Sequence, residues 1–506
     1  SLRAIRRWGP TMAAGYTVSA INYPDAPAIV DELGTLTFDE VDRRTNALAH
    51  ALGEAGVGAG DGVAILCRNH RGFVETTVAC SKLGAHALFL NTAFAAPQLV
   101  EVCARERPVA IVHDAEFAGV AGDAAAGRLR FVAWTDGEEV TGAGVPTLEQ
   151  LIEAGDREPL PPPSEKGRIV LLTSGTTGAP KGAIRRQPSS LDPMAGLLSM
   201  IPLRARERTM IAAPLFHSWG LAHLIVASGL SSTLVLRRRF DALQTLRAID
   251  EHGATALIVV PVMLQRILEL GPKVIGRDDT GSLRVIAASG SALPGELATR
   301  VMDAFGDVLY NLYGSTEVAW ATIATPADLR AAPGTAGRAP RGTVVRLYDD
   351  AGRESAPGER GRVFVGSELV FEGYTGGGGK PSIDGLLASG DIGHLDEEGR
   401  LFVDGRDDEM IVSGGENVFP REVEDVIARM DGVDEVAALA VDDAQFGQRL
   451  KAFVVPSCGA CLGEAEVKDH VRRSLAAFKV PRDVAFVGAL PRNATGKVLK
   501  GELAGL

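Results

Sequence analysis

Residues 169 to 185 read IVLLTSGTTGAPKGAIR. A run that is typical of a buried strand ends at Thr173, and seven small or hydroxylated residues follow before a single lysine, Lys181. Glycine has no side chain, so the backbone N–H groups of such a loop can approach an anion closely. The pattern therefore indicates a phosphate-binding loop directly after a strand, and a plain polar turn is the alternative.

The loop does not follow the Walker pattern. That pattern places Ser or Thr directly after a Gly-Lys pair, whereas Lys181 follows Pro180 and precedes Gly182. The features that favour phosphate are still present, because glycines allow close approach and hydroxyl groups act as donors. The candidate phosphate contacts are Thr173, Ser174, Gly175, Thr176, Thr177 and Gly178.

The sequence around the loop alternates between β-rich and helical patterns. Between about residues 27 and 270, runs such as GVAILC and ALIVVP alternate with stretches such as TFDEVDRRTNALAHALGEAG, which predicts layered α/β structure with largely parallel strands. Turn-rich strands between about 333 and 405 predict a small β-rich subdomain. We therefore predict a large N-terminal domain over 1–407 and a small, mobile α+β domain over 408–506.

Composition narrows the functional class. A chain of 506 residues is expected to form at least two domains, and a net charge of -12 argues against a nucleic-acid surface. The run Arg237 to Arg239 is read as a solvated strand end. No apolar run reaches the ~20 residues that a membrane-spanning helix needs, and peripheral membrane contact stays open. Five scattered cysteines predict a reducing, cytoplasmic location.

Four further stretches follow the loop in a fixed order: NLYGSTE at 311–317, LASGDIG at 387–393, DGRDDEMIVSGGENVFPREVE at 404–424 and PRNATGKVLK at 491–500. Together with TSGTTGAPKG they resemble the adenylate-forming superfamily, which includes acyl-CoA synthetases, firefly-type luciferases and nonribosomal peptide adenylation domains. The N-terminal third resembles the family through LTFDEVDRRTNALAHAL, so the likeness covers essentially the whole chain. It implies an enzyme that activates a carboxylic acid with ATP.

The resemblance assigns roles around the nucleotide. Glu317 and Thr173 are implied to hold Mg2+, a hard cation that prefers oxygen ligands, and Tyr313 to lie on the adenine ring. Asp391 and Arg406 are implied to hold the ribose. The remaining implied nucleotide contacts are Gly290, Ser291, Ala292, Gly314, Ser315, Thr316 and, beside the β- and γ-phosphates, Lys181.

Lys497 is the implied catalytic residue of the first step. Attack of a carboxylate on the α-phosphorus adds negative charge to phosphate oxygens, which a positioned cation stabilises. A lone lysine in a loop is otherwise a surface charge. Gly414 and Gly415 are implied to let a loop approach the pantetheine arm of coenzyme A, and Asp408 to be the hinge of the small domain.

The acyl group is expected beside PLFHSWG at 214–220, where His217 is implied to be an aromatic gate and a core histidine is the alternative. Amino-acid-activating relatives carry Asp at this place, which argues against an amino acid. An apolar tail is expected to contact a set that also reads as plain core: Trp219, Gly220, Leu221, Val259, Val260 and Met263. The sequence favours a medium- or long-chain fatty acid, with aryl and dicarboxylic acids as alternatives.

The sequence therefore predicts an acid–CoA ligase that uses ATP, Mg2+ and coenzyme A. Two other functions stay open. One is an acyl-AMP ligase that delivers its acyl group to a carrier protein. The other is a nucleotide-binding protein that has lost catalysis, which the presence of Lys497, Glu317 and Asp391 argues against.

Overall fold

The computed structural model describes residues 8–137, 144–173, 181–184, 192–374, 377–407, 411–413, 416–443, 447–460, 462–475, 479–493 and 496–505. Within these residues the backbone forms two mainly parallel sheets and two mainly antiparallel sheets. The predicted class is confirmed: a large α/β part is followed by a β-rich part and a small α+β part.

The first parallel sheet has eight strands. Their spatial order is Ala319–Ala324, Leu309–Ser315, Val285–Ala288, Ala256–Val259, Arg208–Ile211, Thr233–Leu236, Pro27–Asp31 and Gly34–Thr37. The six inner strands run parallel, and the two edge strands pair antiparallel. Because parallel strands end at the same edge, the residues that follow Val259, Ala288 and the Leu309–Ser315 strand meet there.

The second parallel sheet has seven strands. Their spatial order is Gly373–Tyr374, Lys181–Ile184, Ile169–Thr173, His86–Phe89, Gly62–Leu66, Ala110–Asp114 and Leu129–Trp134. The strand Lys181–Ile184 pairs antiparallel with both of its neighbours. The two ends of the predicted phosphate loop therefore lie on adjacent strands, with Thr173 opposite Lys181.

Helices cover both parallel sheets, and one continuous apolar core joins them. The helix Phe38–Glu54 shows how local sequence fixes an element: the Thr37 hydroxyl accepts from the Glu40 N–H while the Glu40 carboxylate accepts from the Thr37 N–H. The helices of this part are Met12–Asn22, Phe38–Glu54, Arg71–Leu83, Ala96–Glu106, Ala118–Ala121, Leu148–Ala154, Asp192–Met200, Ser218–Gly229, Ala242–His252, Pro261–Glu269, Pro272–Ile275, Gly295–Phe305 and Pro326–Ala331, with 3-10 turns at Ala115–Phe117 and Asp123–Ala125.

The β-rich part is an antiparallel sheet whose strands are Val344–Tyr348, Gly361–Gly366, Leu386–Leu395, Ser382–Ile383 and Leu401–Arg406. The small C-terminal part has the strands Ile411–Ser413, Glu416–Val418, Val433–Asp443, Gly447–Pro456 and Asp483–Phe486 with the helices Pro420–Ile427, Glu464–Ser474 and Lys500–Leu503. It has its own apolar clusters. The boundary predicted at Asp408 lies outside the described residues and stays a prediction.

The arginine run differs from its prediction. Arg239 is exposed and pairs with Glu116 at 2.8 Å, but the Arg238 side chain is only 11 % exposed. Arg238 also binds Glu116, at 2.7 Å, and its guanidinium lies over the Trp134 ring. Glu116 follows a strand of one parallel sheet and Arg238 a strand of the other, so this pair links the two sheets instead of standing in solvent.

No helix among the described residues has the length and apolar character that crossing a membrane would require.

Candidate active site

Several predicted site residues meet at the carboxyl end of the eight-stranded sheet. Val260 directly follows the strand Ala256–Val259, and Gly290 lies two residues after the strand Val285–Ala288. A Cβ atom added to Gly290 would lie 3.3 Å from Val260 Cγ1, so the two segments are in close contact. Gly290 has a φ of +95°, a left-handed conformation that favours glycine. Beside it, Ser291 is half-buried and Ala292 is exposed.

Tyr313, Asp391 and Arg406 form one hydrogen-bonded group. The Tyr313 hydroxyl donates to Asp391 Oδ2 at 2.5 Å, and the Asp391 N–H donates to the Ser389 hydroxyl. Asp391 and Arg406 are directly opposite each other on neighbouring strands, with Arg406 Nη1 3.7 Å from Asp391 Oδ1. The structure therefore brings together the three residues that the sequence assigned to adenine and ribose.

Burial sets the protonation of this group. It raises the pKa of Asp391, although the Tyr313 hydroxyl and the Arg406 guanidinium pull that pKa back down. Burial, with the Asp391 charge beside it, also raises the pKa of Tyr313 well above its usual range, so the phenol keeps its proton. A neutral hydroxyl facing a carboxylate is a donor, which agrees with the short contact between them.

Lys380 is a neighbour of this group that the sequence interpretation missed. A Cβ atom added to Gly390 would lie 3.3 Å from Lys380 Nζ and 3.5 Å from Arg406 Nη2. Two cationic side chains thus border the left-handed turn that precedes Asp391. The sequence feature that could have indicated Lys380 is its place as the single lysine at the end of the Gly-rich run TGGGGK at 375–380.

Glu317 has both carboxylate oxygens hydrogen-bonded. The Ser315 hydroxyl donates to Oε2 at 3.0 Å, and the Tyr374 hydroxyl donates to Oε1 at 2.9 Å. Burial and the charge of Glu317 raise the pKa of Tyr374, so this phenol is also a neutral donor. A carboxylate oriented in this way, with Thr316 as its neighbour in the sequence, is a ligand type that fits Mg2+.

Tyr374 also connects Glu317 to the predicted phosphate loop. The strand Gly373–Tyr374 pairs with Lys181–Ile184, and Tyr374 lies opposite Ala183. Glu317 is therefore held beside the strand that begins at Lys181. The loop residues Ser174, Gly175, Thr176, Thr177 and Gly178 lie outside the described residues, and so do Gly414, Gly415 and Asp408.

Lys497 directly precedes Val498, which forms an isolated β-bridge with Arg492, and we term residues 496–498 the lysine turn. The Lys497 N–H donates to Asn493 Oδ1 at 2.9 Å, and the Lys497 side chain is exposed. A Cβ atom added to Gly496 would overlap Val262 Cγ1, so the lysine turn packs directly on the start of the helix Pro261–Glu269. Lys497 is thus brought to the sheet edge that carries Val260, across more than two hundred residues of sequence.

His217 precedes the helix Ser218–Gly229 and lies against Phe216, with ring centroids 4.7 Å apart. Burial lowers the pKa of His217 to about 4, so its ring is neutral at pH 7. Within the described residues its Nε2 atom is buried without a hydrogen-bond partner. A neutral imidazole with a free ring nitrogen can contact a carboxylate oxygen or a thiol without adding charge.

The expected acyl contacts lie around this helix. The Trp219 indole N–H donates to the Val259 carbonyl oxygen at 3.0 Å, which fixes the indole at the end of the strand Ala256–Val259. All the expected contact residues are buried: Trp219, Gly220, Leu221, Val259, Val260 and Met263. Gly220 has a packing role, because a Cβ atom at this position would overlap the Pro214 carbonyl oxygen that its helix approaches.

Family models match most of the chain. A model described as "AMP-binding enzyme" matches residues 17–375, and one described as "AMP-binding enzyme C-terminal domain" matches residues 422–497.

Similar curated proteins include a feruloyl-CoA synthase of Amycolatopsis sp, which is 34% identical and aligns over 95% of this chain and 96% of its own. An indoleacetate–CoA ligase of Aromatoleum aromaticum is 32% identical, with 92% of each chain aligned. The long-chain-fatty-acid–CoA ligase FadD13 of Mycobacterium tuberculosis is 30% identical, also with 92% of each chain aligned. Among solved structures, ATP-bound MatB from Rhodopseudomonas palustris has a TM-score of 0.84 at 27% identity and covers 97% of this chain and 98% of its own.

Proposed function

Because the chain belongs to the family of AMP-binding enzymes, we propose that it is an AMP-forming acid–CoA ligase. In the first step a substrate carboxylate oxygen attacks the α-phosphorus of ATP, the bond to the β-phosphate oxygen breaks, and acyl-AMP and pyrophosphate form. In the second step the thiol of coenzyme A attacks the acyl carbon, AMP leaves with the former carboxylate oxygen, and the thiol proton is released.

One observation carries this proposal: the hydrogen-bonded group of Tyr313, Asp391 and Arg406 lies at the same edge of the sheet as Glu317 and the lysine turn. Asp391 and Arg406 offer a carboxylate and a guanidinium to the vicinal hydroxyls of ribose, and Tyr313 offers its ring to adenine. The lysine turn packs beside Val260, which contacts the loop at Gly290. A nucleotide held by the first group would extend its phosphates toward Glu317 and Lys497.

Each charged group has a distinct task in the proposed first step. Glu317 and Thr173 would hold Mg2+, with Thr316 next to Glu317 in the sequence; when bound, Mg2+ neutralises phosphate charge and orients the leaving pyrophosphate. Lys497 places an ammonium group at the oxygens that gain charge on the α-phosphate. Lys181 supports the β- and γ-phosphates. For the second step Gly414 and Gly415 border the pantetheine arm, and Asp408 acts as the hinge.

The acid substrate is proposed to be aromatic. Two of the three relatives described above carry an aromatic acid in their names, and one carries a long-chain fatty acid. Trp219 and the neutral ring of His217 supply aromatic surface at the strand end. The side chains of Val259, Val260 and Met263 add no charge, which disfavours a second carboxylate or an ammonium group in the substrate. A fatty acid, which the sequence favoured, remains the second candidate because FadD13 is also a relative.

A pyrophosphate-release screen tests the proposal. Cinnamate, indole-3-acetate, benzoate, malonate, acetate and fatty acids of six to eighteen carbons are each supplied with ATP and Mg2+, with and without coenzyme A. The expected result is pyrophosphate release with aromatic acids, and formation of a CoA thioester and AMP when coenzyme A is present. Acyl-AMP that coenzyme A does not consume would favour delivery to a carrier protein, and no release with any acid would overturn the assignment.

A further inference from the structure

The helix Ser218–Gly229 carries a histidine that the proposed reaction does not use. His223 is 1% exposed and lies edge-on against the Trp219 indole, with ring centroids 4.2 Å apart and planes at 74°. Its Nδ1 atom is 3.2 Å from the Trp219 carbonyl oxygen. A carbonyl oxygen only accepts, so Nδ1 carries the hydrogen and Nε2 is left with a lone pair.

The lone pair of His223 Nε2 has no donor within the described residues. Burial lowers the pKa of His223 to about 4, so at pH 7 the ring is neutral and Nε2 remains an acceptor. A buried polar atom without a partner costs free energy, and such atoms are uncommon in native proteins. The fold therefore holds an acceptor in place for a hydrogen-bond donor from elsewhere.

The position of His223 relates this acceptor to the acyl site. His223 contacts Trp219, and the Trp219 indole N–H is fixed on the carbonyl oxygen of Val259, the last residue of its strand. The next residue, Val260, contacts the loop at Gly290 and lies beside the lysine turn. His223 is thus in direct contact with the aromatic side chain, Trp219, on which a substrate ring is expected to lie.

We infer that His223 Nε2 accepts a hydrogen bond from a phenol hydroxyl of the acid substrate, which makes hydroxylated aromatic carboxylic acids the preferred class. The inference rests on the proposed function. A phenol suits this site because it is a neutral donor on a rigid ring, and the ring can pack against Trp219 while its hydroxyl points at the imidazole. An aliphatic tail would leave His223 Nε2 without a hydrogen-bond partner. A charged amine would find no counter-ion among Trp219, Val259 and Val260.

The test compares cinnamate with its 2-, 3- and 4-hydroxy derivatives through kcat/KM for CoA-thioester formation. Wild type should prefer one hydroxylated isomer over cinnamate by about tenfold or more, since a site built around a substrate hydroxyl rejects the analogue that lacks it. His223→Phe keeps a ring of similar size without the acceptor, so this ratio should fall to about one. His223→Gln offers an amide oxygen and should retain part of the preference. His252→Phe, on another helix, is the matched control and should leave every ratio unchanged.

Two results would overturn the inference. One is wild type that forms thioesters without preferring any hydroxylated isomer, a measurement that needs no variant. The other is a folded His223→Phe enzyme that keeps the full wild-type ratio, or a folded His223→Gln enzyme that loses this ratio entirely. Absence of thioester and pyrophosphate with every acid would instead contradict the proposed function, so the two failures are distinguishable.

Discussion

Tyr374→Phe is the most direct perturbation of the proposed metal-holding carboxylate. It removes only the hydroxyl that donates to Glu317 Oε1 at 2.9 Å, while the Ser315 hydroxyl stays on Oε2 at 3.0 Å. The ring and its contact with Phe371, at 4.9 Å between centroids, are retained. The variant therefore isolates the effect of orienting one carboxylate oxygen.

The expected size of the effect follows from the charge of the acceptor. A hydrogen bond to a charged group contributes about 1.5 to 3 kcal/mol, and Tyr374 is half-buried, so we expect the lower end. A loss of about 1.4 kcal/mol corresponds to a tenfold change. Tyr374→Phe should slow acyl-adenylate formation about tenfold and raise the Mg2+ concentration needed for the half-maximal rate. Single-turnover pyrophosphate release over a Mg2+ titration measures both quantities.

The structure offers a matched control for this variant. Tyr348 makes a similar contact, from its hydroxyl to Asp384 Oδ2 at 3.3 Å, within the β-rich sheet. Tyr348→Phe should leave the Mg2+ titration unchanged. Thioester formation from supplied acyl-AMP should also be unaffected by Tyr374→Phe, because pyrophosphate has already left at that stage. An unchanged Mg2+ titration in Tyr374→Phe, or an equal shift in both variants, would refute the orienting role.

Four further variants test the remaining assignments. Lys497→Ala should slow acyl-adenylate formation by roughly 100-fold in single-turnover kinetics and leave thioester formation from acyl-AMP near wild type; an equal loss in both steps would contradict its role. Lys380→Met should raise KM for ATP by about two- to fivefold, and an unchanged KM would show that this partly exposed cation does not reach the nucleotide. Burial raises the pKa of Asp391 in the folded protein above its value in the unfolded chain. The stability that Asp391 contributes is therefore fully present below the unfolded-state pKa and is lost as pH rises through the folded-state pKa. Asp391→Asn should therefore raise Tm at pH 7 but not at pH 3, while isothermal titration shows weaker AMP binding; a lower Tm at pH 7 would contradict this. Asp408→Pro should preserve pyrophosphate release and reduce thioester formation because it fixes φ at the proposed hinge, and a parallel loss of both would argue against a pivot.

The sequence offered the pieces of the proposed nucleotide site because each occupies a short motif and the motifs follow a fixed order. It could not predict their contacts. Asp391 and Arg406 are 15 residues apart in the chain, but only the strand register places them directly opposite each other. Tyr374 was missed for a related reason: its partner strand lies almost two hundred residues earlier, and such pairing leaves no local periodicity.

The acyl side was harder to interpret from sequence. Trp219 and Val260 read equally well as core or as pocket, since apolar burial has the same pattern in both cases. His223 gave no motif at all, and only its orphaned ring nitrogen, visible once the helix is placed against Val259, distinguishes it from an ordinary core histidine. The fatty-acid preference came from the apolar residues expected beside the acyl group, and an apolar pattern does not encode the shape of a pocket.

The edge strand Gly373–Tyr374 also affects how the chain can be made. During synthesis, the strand Lys181–Ile184 leaves the ribosome long before residue 374. Until Gly373–Tyr374 is made, the backbone N–H and C=O groups on one side of this strand have no partner strand. An open strand edge of this kind can pair with other chains. Fragments that stop before residue 373 keep the edge exposed permanently, so an expression fragment meant to isolate the α/β part has to continue through Tyr374 to remain free of aggregation.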